Sequence, residues 1–144
     1  MMSKFKFYLL SFTWGLPMTL IGCVAAFVLR SLGYKPTKYG YCYHFEIGQR
    51  WGGVNLGLFI ITDDTPSEHT KSHEHGHAYQ NCYWGFLFPF AVAIPSAIRY
   101  WYRELKYYRK GQTPTTQYDD IWFEGDATKR GTELLKGFEV KDGN

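Results

Sequence analysis

The chain is short of charge, of cysteine and of any strong excess of one sign. Asp, Glu, Lys and Arg make up 20% of its 144 residues, against about 25% in soluble domains. Sixteen basic and 13 acidic residues leave a net charge of +3, too small for a nucleic-acid footprint. The basic residues flank apolar segments and do not form a patch among exposed aromatics. Three cysteines exclude a complete disulfide framework. Cys23 lies inside an apolar run, and Cys42 and Cys82 could pair only outside a reducing compartment. Internal repeats and low-complexity tracts are missing, so solenoid and linker-like classes fall away.

What is present in excess is aromatic and apolar. Trp, Tyr and Phe reach 19% and the apolar fraction 45%, which excludes a disordered chain. The mean hydropathy of -0.32 averages over a very uneven sequence. Residues 7–29 carry no charge. As one helix they would extend about 35 Å, enough to cross a hydrocarbon core of about 30 Å. Lys4 and Lys6 precede the run, and Arg30, Lys35 and Lys38 follow it. A signal peptide starts the same way, and Leu20-Ile21-Gly22-Cys23 resembles a lipobox. The apolar run continues past it, however, so the expectation is a retained N-terminal transmembrane helix over residues 1–30. Residues 82–98 form a second uncharged run, broken by Pro89 and Pro95, expected to be re-entrant or spanning. The Arg99-Tyr100-Trp101-Tyr102-Arg103 sequence after it suits a membrane surface. A lipid bilayer is thus an expected partner and the membrane the expected location.

Between the two runs the pattern changes. Tyr39, Tyr41, Tyr43 and Phe45 alternate with small or polar residues, and residues 54–61 read as a second strand. Together they predict a hairpin turning near residues 48–53. Asp63-Asp64-Thr65-Pro66-Ser67-Glu68 is a helix start, with Thr65 as cap, Pro66 in the first turn and Glu68 closing a capping box. That helix should run to about Asn81. Asp119 or Asp120 can cap a last helix from Ile121 to about Leu135, followed by a flexible tail over residues 137–144. The expected fold class is α+β: a membrane helix, a small sheet, a His-rich helix, the second apolar segment and a C-terminal helix. Residues 31–136 would form the folded domain.

The His-rich helix carries the chemistry. His73, Glu74 and His77 form H-E-x-x-H, and residues four apart share a helix face, so both imidazoles can reach one ion. Glu74 is then placed to take the proton of an activated water. His69, one turn earlier on the same face, is a stray or alternative ligand, and His75 points elsewhere. The bland alternative is a solvated histidine face. A hydrolytic zinc site needs a third protein ligand, and no further His follows His77 at short spacing. Among Asp119, Asp120, Glu124 and Asp126, Glu124 is the choice. Ala127 and Gly131 follow it as a small-residue stripe able to pack closely on the His helix beside Gly76.

His-Glu-x-Gly-His with Gln80, Trp84-Gly85-Phe86 and Ile94-Pro95-Ser96 resembles small membrane-associated HExxH metallopeptidases of the gluzincin type. Trp122-Phe123-Glu124-Gly125-Asp126-Ala127 resembles their E-x-x-A ligand motif. The resemblance, over roughly residues 52–131, implies His73, His77 and Glu124 as Zn2+ ligands and Glu74 as general base. It also implies a peptide or protein substrate, laid along the strand at residues 54–61. One departure is Thr128, where the family's alternative motif has an Asp orienting a ligand His; Asp126 or Asp120 could substitute. Tyr118 is one of twelve tyrosines that could complete the site. A non-catalytic membrane metal-binding protein, or an inactive relative of the peptidases, remains the alternative.

Overall fold

The computed structural model describes residues 2–142, with side chains to residue 138. Five helices surround a four-stranded mixed sheet, an α+β arrangement. In chain order the helices are α1 (Lys4–Phe12), α2 (Leu16–Ser31), α3 (Glu68–Trp84), α4 (Ile94–Lys106) and α5 (Trp122–Asp142). The strands are β1 (Thr37–Tyr39), β2 (Cys42–Glu46), β3 (Gly53–Leu56) and β4 (Phe59–Thr62).

The expected single hairpin is two tight ones. Gly40-Tyr41 interrupts the first alternating stretch, and Gly57-Leu58 interrupts the second, where the Asn55 side chain bonds both the N–H and the C=O of Gly57. Each stretch folds back on itself, and β2 then pairs parallel with β4, giving the order β1-β2-β4-β3. The free edge beside α3 is therefore β3 alone, Gly53–Leu56, and not the whole of residues 54–61. Alternation over eight residues could not show where the turns fall, because each turn uses a short two-residue connection.

The N-terminal apolar run is also divided. No single described helix is long and apolar enough to cross a membrane; α1 and α2 meet at 89° around Thr13-Trp14-Gly15. Pro17 sits in the first turn of α2, where its missing N–H costs nothing. The second run bends by 118°, passing through a 3-10 turn (Gly85–Leu87) and a π-helical turn (Pro89–Ala93) into α4. The first two helices contribute directly to the core. Phe7 packs with Tyr41, Cys42, Leu58, Ala78 and Tyr79, Met18 with Phe88, Val92 and Phe123, and Ala26 and Leu29 with Phe45 and Ile61.

Helix α3 is enclosed, although its sequence is polar. Every side chain from Ser72 to Cys82 is buried. Its cap is Ser67, whose hydroxyl accepts the Thr70 N–H at 3.0 Å; Thr65 instead takes part in an Asp63 side-chain turn. On its far side lies α5, close enough that a Cβ on Gly76 would meet the backbone of Ala127 and one on Gly131 the backbone of Ser72. The small-residue stripe serves the contact expected of it. The residues expected as a tail, 137–142, continue α5, anchored by Phe138 against Tyr41 and His75; residues 143–144 lie outside the described residues.

Candidate metal centre

His73 and His77 stand one turn apart on α3, and Glu124 comes from the first turn of α5. Helix α5 can approach so closely because glycines replace side chains at the crossing. All three residues are buried, Glu124 completely. Its Oε2 lies 3.0 Å from His73 Nε2 and 3.2 Å from His77 Nε2, and its Oε1 has no hydrogen-bond partner among the described residues.

The proton inventory decides what this cluster is. Gln80 gives its amide hydrogens to the Phe123 carbonyl and to Asp126 Oδ2, both at 2.8 Å. Its carbonyl oxygen therefore faces His77 Nδ1 at 2.8 Å and must accept from it. The Thr128 hydroxyl donates to Asp119 Oδ2 at 2.8 Å, so it accepts from His73 Nδ1, also at 2.8 Å. Both imidazoles thus carry their first proton on Nδ1. In the neutral rings both Nε2 lone pairs point at a carboxylate, three acceptors with no hydrogen between them. Such a cluster needs a cation: either extra protons on the histidines or a bound metal ion. His73, His77 and Glu124 form a buried group able to hold a metal ion.

The electrostatics follow from the same contacts. Burial alone would raise the Glu124 pKa, but the hydrogen bonds from His73 and His77 hold it far below the usual carboxylate range. Burial would lower His77, yet Glu124 and Glu74 outweigh it and hold its pKa up. Glu74 is pushed above the ordinary range by burial, with the two histidines partly offsetting the effect. A carboxyl with a raised pKa is nearer to a neutral working range, as a general base requires. Glu74 also lies against the sheet edge: a Cβ on Gly53 would sit 3.0 Å from its Cγ and 3.1 Å from its Oε1. The β3 backbone thus passes directly beside this carboxyl.

Tyr118, on a 3-10 turn (Tyr118–Asp120) before α5, reaches the same cluster. Its ring stands 6.2 Å from that of His73, and its hydroxyl lies 3.5 Å from Ser96 Oγ. Burial and the Glu124 charge raise its pKa, keeping the phenol protonated. The turn that carries it is tied down by α4. Arg99 donates to the carbonyls of Gln117 and Tyr118, and Arg103 to that of Thr116.

Several residues take other places. Asp119 stands behind Thr128 and so backs His73, while Asp126, one of the two candidates for an orienting acid, backs His77 through Gln80. Asp126 supports Gln80 and pairs with Arg130, while Asp120 closes a capping box with Gln117. His69 is exposed, 3.5 Å from Asp119, and forms a second, more open group with His73 and Asp119. His75 faces away, its Nε2 accepting the Tyr41 N–H at 3.1 Å. Sequence reasoning did not assign the pairing of Gln80 with His77; its signal was the three-residue spacing from His77 along one helix face. No family model, curated protein or solved structure matches the chain.

Proposed function

We propose that the protein is a zinc-dependent metallopeptidase-like enzyme of the HExxH type, with His73, His77 and Glu124 as ligands and Glu74 as general base. The observation that carries this reading is the convergence of two Nε2 lone pairs on a buried carboxylate, with both Nδ1 protons already committed. Two nitrogen donors and one oxygen donor leaving one open position are a set zinc favours in hydrolytic sites. A zinc ion held there supplies Lewis-acid activation of a water and of the substrate carbonyl.

The chain's own residues supply the rest. Glu74, beside the ligands and against β3, accepts the proton of the attacking water and later returns it to the leaving amine. The free edge of β3 offers main-chain donors and acceptors to an extended peptide, which would lie across Glu74. Tyr118 keeps its proton and can donate to the developing oxyanion. Thr128 and Gln80 hold the two imidazoles in the tautomer that presents Nε2 inward.

Metal analysis of the purified full chain tests the site. One zinc per chain is expected, with large loss in His73→Ala and Glu124→Ala. Glu74→Gln should keep the zinc and abolish hydrolysis of a peptide library. Undiminished hydrolysis by that variant would overturn the mechanism. A second reading, a non-catalytic metal-binding protein, draws on the open group of His69, His73 and Asp119. It predicts binding that is retained in Glu124→Ala and lost in His69→Ala.

A further inference from the structure

Three helices are built inside out. Along α4 the apolar side chains Ile94, Ile98, Trp101, Tyr102 and Leu105 recur at helical spacing and are exposed. The cationic Arg99 and Arg103 instead turn inward to the Thr116–Tyr118 carbonyls. Along α2 the inward face is Met18, Thr19, Gly22, Ala26 and Leu29. The outward one is Leu20, Ile21, Val24, Phe27 and Val28, with Phe27 73% exposed. Along α1, Phe5, Leu9 and Phe12 face out. Small residues against protein and large apolar ones outside is the arrangement of helices that meet lipid. A soluble monomer does not keep contiguous apolar faces of this extent in water.

The two bends meet. Trp14, in the first, donates its indole N–H to the Tyr83 carbonyl at 3.2 Å and packs edge-on against Phe86. Its indole also fills the space beside Gly85. Asn81, at the second, donates to the Gly15 carbonyl at 3.1 Å. Each bend thus gives one side-chain donor to a carbonyl of the other, and the Gly15 carbonyl also takes the Thr19 N–H at 3.3 Å. Around the joined bends lie Phe12, Leu87 and Phe90, the last 71% exposed, with Tyr83, Trp84 and Trp122 as an aromatic surround. Neither apolar run holds a charge. Basic residues stand at the helix ends away from the bends: Lys4 and Lys6 open α1, Arg30 lies in the last turn of α2, and Lys106 ends α4, with Arg109 and Lys110 after it; beside the bends, Arg130 lies over the Tyr83 ring at 4.5 Å. From Lys4 to Phe12 the helix rises about 13 Å, near half of a hydrocarbon core of about 30 Å. Beside α2, an apolar depression of about 490 Å³ is lined by Phe27, Pro36, Tyr43, Phe45 and Phe59, with Arg30 also in its wall.

We propose that the joined bends form a wedge that enters one leaflet of a lipid bilayer without crossing it, with the basic helix ends at the headgroups. The chain is then monotopic, and the metal centre is held beside the membrane surface. This inference stands apart from the peptidase reading, since it uses none of the ligands.

The test uses the full chain and vesicles of phosphatidylcholine mixed with phosphatidylglycerol. The wild type should float with the vesicles. The double variant Phe12→Glu, Phe90→Glu should lose vesicle binding by about tenfold or more, because each carboxylate would have to enter hydrocarbon. Both positions are exposed, so helical content and bound metal should be unchanged in the variant; these two readouts separate lost insertion from lost folding. Tags at the two termini should both be removed by protease added outside. Unchanged flotation of the double variant would overturn the proposal. So would protection of one terminus, which indicates a crossing. So would a wild type that ignores vesicles but dimerises through these faces, with the double variant monomeric.

Discussion

At the scale of single residues, the side chains behind His73 and His77 fix how each candidate ligand presents itself to the centre. Thr128 accepts from His73 Nδ1 and donates its own proton to Asp119, which makes one hydroxyl the link between His73 and a carboxylate on the turn before α5. Thr128→Val keeps the shape and removes the link. It should weaken metal affinity by about 10–100-fold, the usual cost of losing an orienting partner. Thr128→Ser should restore most of it, and competition with a chromogenic chelator measures both. Equal affinity in wild type and Thr128→Val would show the relay to be idle. The shared face of His73 and His77 was legible in the sequence because spacing along one helix is a local property. The Thr128–Asp119 link was not, since it depends on how the turn before α5 packs. There the Thr that looked like a departure is the bridge to an acid nine residues away.

At the scale of elements, the α3–α5 crossing is the joint on which the centre depends. Gly76→Ala gains about 1 kcal/mol of intrinsic helix propensity, but its methyl would enter the Ala127 backbone. The expected net effect is a destabilisation of about 1–3 kcal/mol, read from urea unfolding, with weaker metal binding as α5 is pushed away. The sheet carries a separate, pH-dependent contribution. His44 on β2 is buried, and its Nε2 bonds Thr62 Oγ1 at 2.7 Å. Burial holds its pKa below the ordinary 6.5, with Glu46 partly offsetting this. The unfolded chain therefore binds the proton first, so this stability is present above pH 6.5 and lost as pH falls through the lowered value. Between pH 7 and about 5 the urea midpoint should fall, and fall less steeply in His44→Gln. A slope unchanged by that substitution would remove His44 as its source. The α+β class, the His helix and the small-residue crossing were readable from periodicity and caps. The hairpin and the first span were not. Gly40, Gly57 and Gly15 lie inside runs whose composition is continuous, and only the packing of Tyr41, Asn55 and Asn81 shows that the chain turns there.

For the whole molecule, the centre joins distant parts of the chain. Glu124 meets ligands 51 and 47 residues earlier, across the segment that forms both the second bend and α4. Without an ion, the buried carboxylate must be balanced by protonated histidines. With an ion, binding free energy adds directly to folding free energy, because the unfolded chain has no preformed site. At a metal concentration of about 100 Kd this amounts to about 2.7 kcal/mol. At about 2–4 °C per kcal/mol for a chain of this size, chelation should lower Tm by about 5–10 °C. Glu74→Gln, which leaves the ligands in place, should show the same difference. Glu124→Gln should show almost none and melt near the metal-free wild type, since it loses the ion and the buried charge together. A chelated wild type, shown by metal analysis to be empty yet melting where the loaded protein does, would mean that the ion does not couple α3 to α5. The crossing would then be held by the glycine packing alone.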